Sequence, residues 1–539
     1  MGNSRIIINT VEDTLVSSTS ALPLEIGVVL KAPKGPVGTP IKVTTEAELI
    51  DKFGTPTTTY PVLDAVRSFL KLYGGITVSR LKFSVDGASS FVNAVSTDIV
   101  PVSLVKLEGK SFSNFEDDFE LSLLSVSGSS LNFILRDKNA AVLESFTVPA
   151  YAPDFIAQVN YQSEYVVASL VPAHGSTTML VGTTKPAETD TPLVFDNGAI
   201  GSNYVLQDVL NAIQAFESIT IGRMDIVAAP GLADFSDASW GTAWVTLTDY
   251  EVGDIVIKDG AKYECLDIHE SGVFADDLAA GNWAAVTEFG KVIDALIALT
   301  AERRETITLA DFVANDTVAN VVAKVTPIPM ESKVIFYHPG VKMRLSSGNN
   351  QVVPASMAAL FVHAAASVVN RWASPAGFTT TMSIPNVSDF FVTLKQSEAD
   401  TLYNLTNAAR PAINPIVYDN SVGWVIDGQR TAAESTNIRR SISIEKLLNE
   451  IVYETNVKSK RYQYKPNNET TWDSWKLDMN SYLSNILTQG GISSFQVFMG
   501  TNTMTSADIQ AGRLIGLIKI VPTFTVEEIT ITINVNVEA

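Results

Sequence analysis

The feature that most constrains the fold is an alternation of predicted apolar strands and helices, which is interrupted twice and resumes each time. From residue 24 the segments LEIGVVLKAPKGP, TTEAELIDKFG, YPVLDAVRSFLKLYGG and ITVSRLKF predict strand, helix, helix and strand, and both helices end on glycine. Such alternation indicates an α/β layer. The pattern returns in NYVLQDVLNAIQAFESITI and again in KVIDALIALTAERRETITLADF. We therefore expect an α/β core with two insertions.

The two insertions differ in composition. Residues 83–195 hold Ser, Val, Thr and Leu in short alternating runs, which predicts a β-rich domain. From Leu232 to Gly290, 12 acidic residues stand against Lys258 and Lys262. The predicted fold class is α/β (α+β) and multidomain, with an α/β core, inserted β-rich domains and extended terminal arm strands. The predicted regions are an N-terminal arm (1–20), a first core segment (21–82), a β-rich domain (83–195), a second core segment (196–232 and 291–395), an acidic module (233–290), a C-terminal core domain (396–521) and a C-terminal arm strand (522–539).

The last 13 residues, EEITITINVNVEA, alternate apolar and polar side chains with the period of a strand that buries one face. A second short strand, followed by a polar linker, is predicted in SRIIINTVEDTLVSSTS near the N-terminus. A strand exposes backbone donors and acceptors along its edges, and an unpaired edge invites another chain. The alternation alone does not say which sheet these strands complete.

Composition excludes several classes of function. The 539 residues are 46% hydrophobic and 18% charged, which is typical of globular domains. The net charge of −20 predicts no direct nucleic-acid binding, because phosphates would be repelled. No apolar run approaches 18 residues, so no membrane insertion is expected. Cys265 is the only cysteine, which excludes an intrachain disulfide and fits assembly in a reducing cytoplasm.

The sequence offers no arrangement typical of an enzyme, a cofactor site or a metal site. The four histidines are far apart and lack metal-binding spacing: His174, His269, His338 and His363. The acidic pairs Asp117–Asp118 and Asp276–Asp277 are neighbours in sequence, whereas catalytic carboxylates must converge across a cleft. We therefore expect no catalytic activity, no cofactor and no metal.

Several segments resemble, in the same order, the tail sheath proteins of contractile bacteriophages (myoviruses). They include GVVLKAPKGPVGTPIKVTTEAELIDKFG, KVIFYHPGVKM, GWVIDGQRT, NIRRSISIEKLLNEI and IVPTFTVEEITITI. The most specific is PNNETTW, which stands between two predicted helices. The resemblance covers about residues 20–82, 200–232 and 291–539.

This resemblance implies a structural protomer that polymerises as a helical stack of rings around a tail tube. Contraction of the stack drives the tube through the host envelope during genome ejection. The implied partners are further copies of the chain, the tail tube protein, and the baseplate and tail terminator proteins. The implied location is the virion tail sheath, after synthesis and assembly in the host cytoplasm. The alternatives are the sheath of a phage-derived bacteriocin or secretion-type injection system, and a glycan-binding surface protein.

In the sheath family, terminal arms add strands to a sheet in neighbouring subunits. By that resemblance we assign nine residues to inter-subunit strand donation: Ile6, Ile7, Ile8, Val11, Ile529, Ile531, Ile533, Val535 and Val537. Backbone hydrogen bonds would supply this joint. The alternative is that both strands fold back on their own subunit.

Residues 430–476 are more basic than the rest, with nine basic and six acidic side chains. The resemblance places this domain innermost, which predicts a tube-facing role for Arg439, Arg440, Lys446, Lys458, Lys460 and Arg461. Ordinary helix solvation and pairing between sheath subunits are the alternatives.

Residues 243–288 resemble the small carbohydrate-binding modules of the chitin-binding type. The candidate glycan contacts are Trp244, Tyr250, His269 and Trp283, because aromatic rings stack on sugars. The segment after Tyr263 reads ECLDIHESGVF and lacks the adjacent aromatic pair of such modules. The favoured alternative is an acidic decoration that keeps assembled sheaths soluble.

Overall fold

The structure is a computed structural model that describes residues 24–527 with internal gaps. The gaps are residues 86, 96–102, 112, 114, 128, 172–185, 190, 200–202, 331–332, 390 and 404–409. The strands predicted for donation, with Ile6, Ile7, Ile8 and Val11 at one end and Ile529, Ile531, Ile533, Val535 and Val537 at the other, lie outside the described residues.

The first core segment contains the predicted strand, two helices and strand, and it has one further short strand, β2, before the first helix. Its elements are β1 (Ile26–Leu30), β2 (Ile41–Val43), α1 (Glu46–Phe53), α2 (Pro61–Tyr73) and β3 (Ile76–Arg80). Thr45 caps α1 by accepting a hydrogen bond from the Glu48 amide, and α1 ends at Gly54, whose φ of 89° favours glycine.

The first insertion is β-rich, as predicted. Its elements are β4 (Phe91–Val95), β5 (Ser103–Gly109), β6 (Glu120–Ser127), β7 (Ser130–Arg136), β8 (Val142–Pro149), α3 (Ala152–Gln162), β9 (Val166–Leu170) and β10 (Leu193–Val194). They form a four-stranded sheet in the order β10-β6-β7-β8 and a three-stranded sheet in the order β4-β5-β9. Phe133 and Phe155 lie in the core of this domain.

The chain then returns to the core and enters the second insertion. The elements are α4 (Leu206–Gln214), β11 (Ile226–Ala228), β12 (Thr242–Ala243), β13 (Asp249–Tyr250), β14 (Ile255–Lys258), β15 (Ala261–Cys265), β16 (His269–Glu270), α5 (Phe274–Ala279) and β17 (Trp283–Val286). The second insertion has a four-stranded sheet in the order β12-β14-β15-β17 and a two-stranded sheet of β13 and β16. This insertion is the predicted acidic module of residues 233–290.

The remainder of the core runs from α6 to β24. Its elements are α6 (Glu288–Glu302), β18 (Ile307–Asp311), α7 (Val318–Val325), β19 (Val334–His338), β20 (Val341–Arg344), β21 (Asn350–Val353), α8 (Ala355–Ser367), β22 (Val387–Asp389), α9 (Gln396–Tyr403), β23 (Ile413–Asp419) and β24 (Gly423–Ile426). Strands β21, β20 and β22 form a separate three-stranded sheet in that order.

An eight-stranded sheet organises the core, in the order β2-β3-β1-β11-β18-β19-β23-β24. The six inner strands run parallel, whereas β2 and β24 pair antiparallel at the two edges. Strands β1, β11, β18 and β19 are buried along their whole length, as parallel strands covered on both faces must be. Helices α2 and α8 cover one face, and α4, α6 and α7 cover the other.

The predicted boundary between residues 395 and 396 is wrong. Strands β23 and β24 extend the core sheet beside β19, with Phe336 opposite Ile413. The C-terminal domain therefore begins at the helix after β24. It contains α10 (Ile442–Ser459), α11 (Glu469–Thr488), β25 (Ile492–Met499), α12 (Ser506–Gln510) and β26 (Gly516–Pro522). The longest helix of the described residues is α11, with 20 residues.

Candidate inter-subunit surfaces

The C-terminal domain ends in a two-stranded antiparallel sheet formed by β25 and β26. Phe498 pairs with Leu517, and Val497 with Ile518. One face of this sheet packs on α10 and α11 in two apolar clusters. These clusters include Leu447, Ile451, Trp475, Met479, Leu483 and Ile486 from the helices and Phe495, Val497, Ile518 and Ile520 from the strands.

In the described part of the chain, the opposite face and both edges of this two-stranded sheet are open. Leu517 and Val521 remain 45% and 51% exposed. Within the described residues, neither outer edge pairs with another strand. An isolated two-stranded ribbon is marginally stable in water, and an open edge is a template for further strands. The surface formed by β25 and β26 is therefore suited to accept strands.

A buried network of charged side chains joins the C-terminal domain to the core sheet. Asp225, just before β11, lies 2.6 Å from the Nη2 of Arg223 and 3.2 Å from the Nη1 of Arg371. Glu450 on α10 pairs with Arg223, and its Oε2 lies 3.8 Å from Arg371. The sequence pattern does not reveal this network, because Arg371 and Glu450 are far from Arg223 and Asp225 in the chain.

Lys446 does not have the tube-facing position predicted for it. Lys446 lies on the buried face of α10, and its Nζ donates to the carbonyl of Ala373 at 3.1 Å. Burial lowers the pKa of Lys446 to about 7, against a weaker opposing effect from Asp225. The prediction is wrong for this residue because the helix turns it toward the body.

The other five basic candidates are at least partly exposed, and four of them have intramolecular partners. Arg439 pairs with the buried Glu445 at 3.1 Å, and Arg440 donates to the carbonyl of Ser435 at 2.8 Å. Lys458 pairs with Glu454 at 3.0 Å, and Arg461 with Asp478. Lys460 is exposed. These residues lie at both ends of α10 and do not form one cluster.

The acidic module has a small aromatic core, and two of the predicted glycan contacts belong to it. Tyr250 and Trp283 are only 6% and 3% exposed and pack with Val256 and Cys265. Their rings meet edge to face at 5.1 Å. The prediction of glycan stacking is wrong for Tyr250 and Trp283, because neither ring has a free face.

Of the two other predicted glycan contacts, Trp244 is half-buried, and the side chain of His269 is only 12% exposed. Trp244 packs edge to face on Phe274, and the Nζ of Lys258 lies 5.0 Å from its ring centroid. The Nδ1 of His269 lies 2.7 Å from the carbonyl oxygen of Asp267, and its ring packs on Trp283. Trp244 and His269 therefore offer partial ring surfaces, and not a flat platform.

The described residues contain no group of three or more His, Cys, Asp or Glu side chains arranged to hold a metal ion. Among the helices of the described part of the chain, none is long and apolar enough to span a membrane.

Residues 434–536 match the profile of the phage tail sheath C-terminal domain family. Two curated relatives are tail sheath proteins. The one from Vibrio phage KVP40 is 28% identical over 164 residues, which are 30% of this chain and 23% of the relative. The one from Enterobacteria phage T4 is 28% identical over 167 residues, 31% of this chain and 24% of the relative. The matched segment thus spans about a quarter of either relative's length.

Two solved structures share the fold over nearly the whole chain. The sheath tail protein Lin1278 from Listeria innocua gives a TM-score of 0.52 at 13% identity and covers 92% of this chain and 94% of that chain. A chain of the anti-feeding prophage baseplate gives 0.50 at 14% identity and covers 98% and 100% of the two chains. This chain therefore shares its α/β multidomain fold with the sheath tail protein of Listeria innocua and with the chain of the anti-feeding prophage baseplate.

Proposed function

The match of residues 434–536 to the phage tail sheath C-terminal domain family is our premise, and from it we propose that this chain is a tail sheath protomer. It polymerises into a helical stack of rings around a tail tube. Contraction of that stack drives the tube through the host envelope during genome ejection. The chain acts by assembly and not by catalysis, and its place is the tail sheath of the virion.

The observation that carries this proposal is the open sheet of β25 and β26. Its edges lack partner strands within the described residues, and residues 529–537 alternate as a strand with one buried face. In strand addition, backbone hydrogen bonds supply the joint and alternate side chains fill the neighbour's surface. We assign residues 529–537 of one copy, with residues 6–11 of another, to the edges of this sheet.

The charged network around Asp225 supports a body that moves as one piece. A sheath that contracts must rotate its subunits without breaking them, and rigid-body rotation about interfaces is a common form of such transitions. The network ties α10, and through it the sheet of β25 and β26, to the core beside β11. The conformational change during contraction would then occur in the polar linkers that join the arms to the body.

We also assign a weak tube-facing role to five basic residues that are at least partly exposed: Arg439, Arg440, Lys458, Lys460 and Arg461. Exposed ion pairs contribute only about 0.2–1 kcal/mol each, so such a seam could hold a tube and later release it. Charge reversal at Arg439 and Arg440 should reduce assembly on a purified tube. Assembly at the wild-type level would remove these two residues from the proposal.

The acidic module is proposed as an outer decoration. Its charge would keep assembled sheaths apart in solution. Glycan binding by the full chain on an array, abolished by Trp244→Ala in a folded protein, would instead support a glycan contact through Trp244 and His269.

Negative-stain electron microscopy of the purified full chain tests the main proposal. Hollow helical tubes are expected at high protein concentration, and a chain that stays monomeric would contradict it. A contractile injection system other than a phage is the second candidate, favoured by the shared fold with the anti-feeding prophage baseplate chain. Capsid and terminase genes beside the coding sequence would separate a phage from that candidate.

A further inference from the structure

The segment that follows β26 runs back over the core and does not project from the body at once. The amide of Thr523 donates to the carbonyl of Gly491 at 3.1 Å. Phe524 and Val526 are 62% and 79% exposed. The polar residues between and after them, Thr525 and Glu527, contact the body. The segment 523–527 is thus attached through its polar side chains and presents apolar ones outward.

Three side chains of the body hold the end of this segment. The Nη2 of Arg430 lies 2.7 Å from the Oε2 of Glu527, and the Tyr403 hydroxyl donates to the same oxygen at 3.2 Å. The Nε2 of Gln429 donates to the Thr525 hydroxyl and lies 3.4 Å from the Oε1 of Glu527. Both oxygens of the Glu527 carboxylate therefore have donors from the body.

Gln429 and Arg430 are themselves buried and fixed. The Oε1 of Gln429 accepts from the Ser443 hydroxyl at 2.9 Å, at the start of α10. Asn414 in β23 accepts from the Arg430 amide and donates to the Arg430 carbonyl, both at 2.7 Å. The backbone of Arg430 and the side chain of Gln429 are thus anchored to the core sheet and to α10.

We propose that Tyr403, Gln429 and Arg430 form a clamp that sets where and in which direction the chain leaves the body after Glu527. Without the clamp the chain would pivot near Pro522, where β26 ends. A fixed exit point lowers the entropy lost when the following strand docks on another copy. The buried charge of Arg430 makes Glu527 the favoured partner, because an unpaired buried guanidinium is costly.

The clamp is a positioning device for the strand donation proposed above and rests on that function. The consequence for assembly is that loosening the clamp should raise the critical concentration for polymerisation, by about tenfold for each 1.4 kcal/mol of preorganisation lost. The fold of the monomer should not change.

Two variants and two readouts test the clamp. Glu527→Ala removes the held carboxylate, and Tyr403→Phe removes only one donor. Arg513→Gln, at an exposed arginine of the same domain, is the control. Hydrogen exchange of the monomer should show faster exchange of the Thr523 amide, which donates to the Gly491 carbonyl, for Glu527→Ala, a smaller effect for Tyr403→Phe and none for the control. In pelleting assays, the critical concentration for polymerisation should rise most for Glu527→Ala, less for Tyr403→Phe and not at all for the control.

The outcomes for the clamp and for the sheath proposal are separable. If the Thr523 amide exchanges as freely in the wild type as in Glu527→Ala, the clamp is wrong, whether or not the chain polymerises. If the segment is protected and released by Glu527→Ala but the wild type never polymerises, the clamp stands as a contact and the sheath function fails. If the wild type polymerises and both variants match it, the positioning role is wrong.

Discussion

The carboxylate of Asp225 lies 3.2 Å from the guanidinium of Arg371, and this contact joins the start of a core strand to the segment that follows α8. Asp225 also accepts a hydrogen bond from the Glu25 amide at 2.8 Å. The same carboxylate thus meets the first core strand, the segment after α8 and, through Arg223, the helix α10. A single side chain holds three regions of the body in register.

The substitution Asp225→Asn should destabilise the chain by about 2 kcal/mol. Breaking a buried ion pair costs roughly 3–5 kcal/mol. We expect a destabilisation below this range because the side chain of Arg371 keeps 29% exposure. Differential scanning calorimetry would detect the lowered transition temperature. Glu302→Gln, at an exposed carboxylate of α6, is the matched control, and equal transition temperatures for the two variants would contradict the role of Asp225.

Stability should fall in mild acid because of His338. Burial lowers the pKa of His338 to about 4, and its Nε2 lies 3.1 Å from the carbonyl oxygen of Asp316. The unfolded chain binds a proton at this side chain below pH 6.5, whereas the folded chain does not until about pH 4. The contribution of His338 is therefore complete above pH 6.5 and is lost between pH 6.5 and 4, by up to about 3 kcal/mol.

Urea unfolding at several pH values between about 4 and 7.5 would measure this effect. The variant His338→Gln should show a shallower loss of stability with falling pH than the wild type, although His363, whose pKa burial also lowers, contributes to both. Identical pH dependence in the two proteins would show that His338 does not have this role.

Trp283→Ala should unfold the acidic module within an otherwise folded chain. Replacing a buried tryptophan costs about 3–5 kcal/mol, and the module core has few other large side chains. Limited proteolysis followed by mass spectrometry should find new cleavages within residues 243–288. The exposed Leu247→Ala is the control and should keep the wild-type pattern, while resistance of Trp283→Ala would argue against the core position of this ring.

The local sequence pattern predicts the helices and strands of the core better than it predicts which strands pair with each other. Thr45 and Gly54 bound α1 through contacts within a few residues, so the sequence reveals them. Strand β23 pairs with β19, which lies far from it in the chain. Because β23 follows α9, the sequence alone assigns it to the C-terminal domain, and the predicted boundary is therefore wrong.

The candidate site residues show the same limit. The sequence does not distinguish an aromatic residue that fills a core from one that binds a sugar. For Tyr250 and Trp283, their packing against each other shows that they belong to the core. Lysine side chains are usually exposed, so the sequence does not predict that Lys446 is buried. Its contact with the Ala373 carbonyl, which is distant in the chain, is visible in the structure alone. The clamp on Glu527 likewise has no local signal, since Arg430 is 97 residues away.

The most direct test of strand donation compares the full chain with a truncation ending at Pro522 by negative-stain electron microscopy. The truncation keeps the sheet of β25 and β26 and removes the clamped segment with the terminal strand. We expect hollow helical tubes from the full chain, and only monomers or short rings from the truncation. Tubes from both proteins would contradict strand donation by residues 529–537, and monomers from both would contradict the sheath function itself.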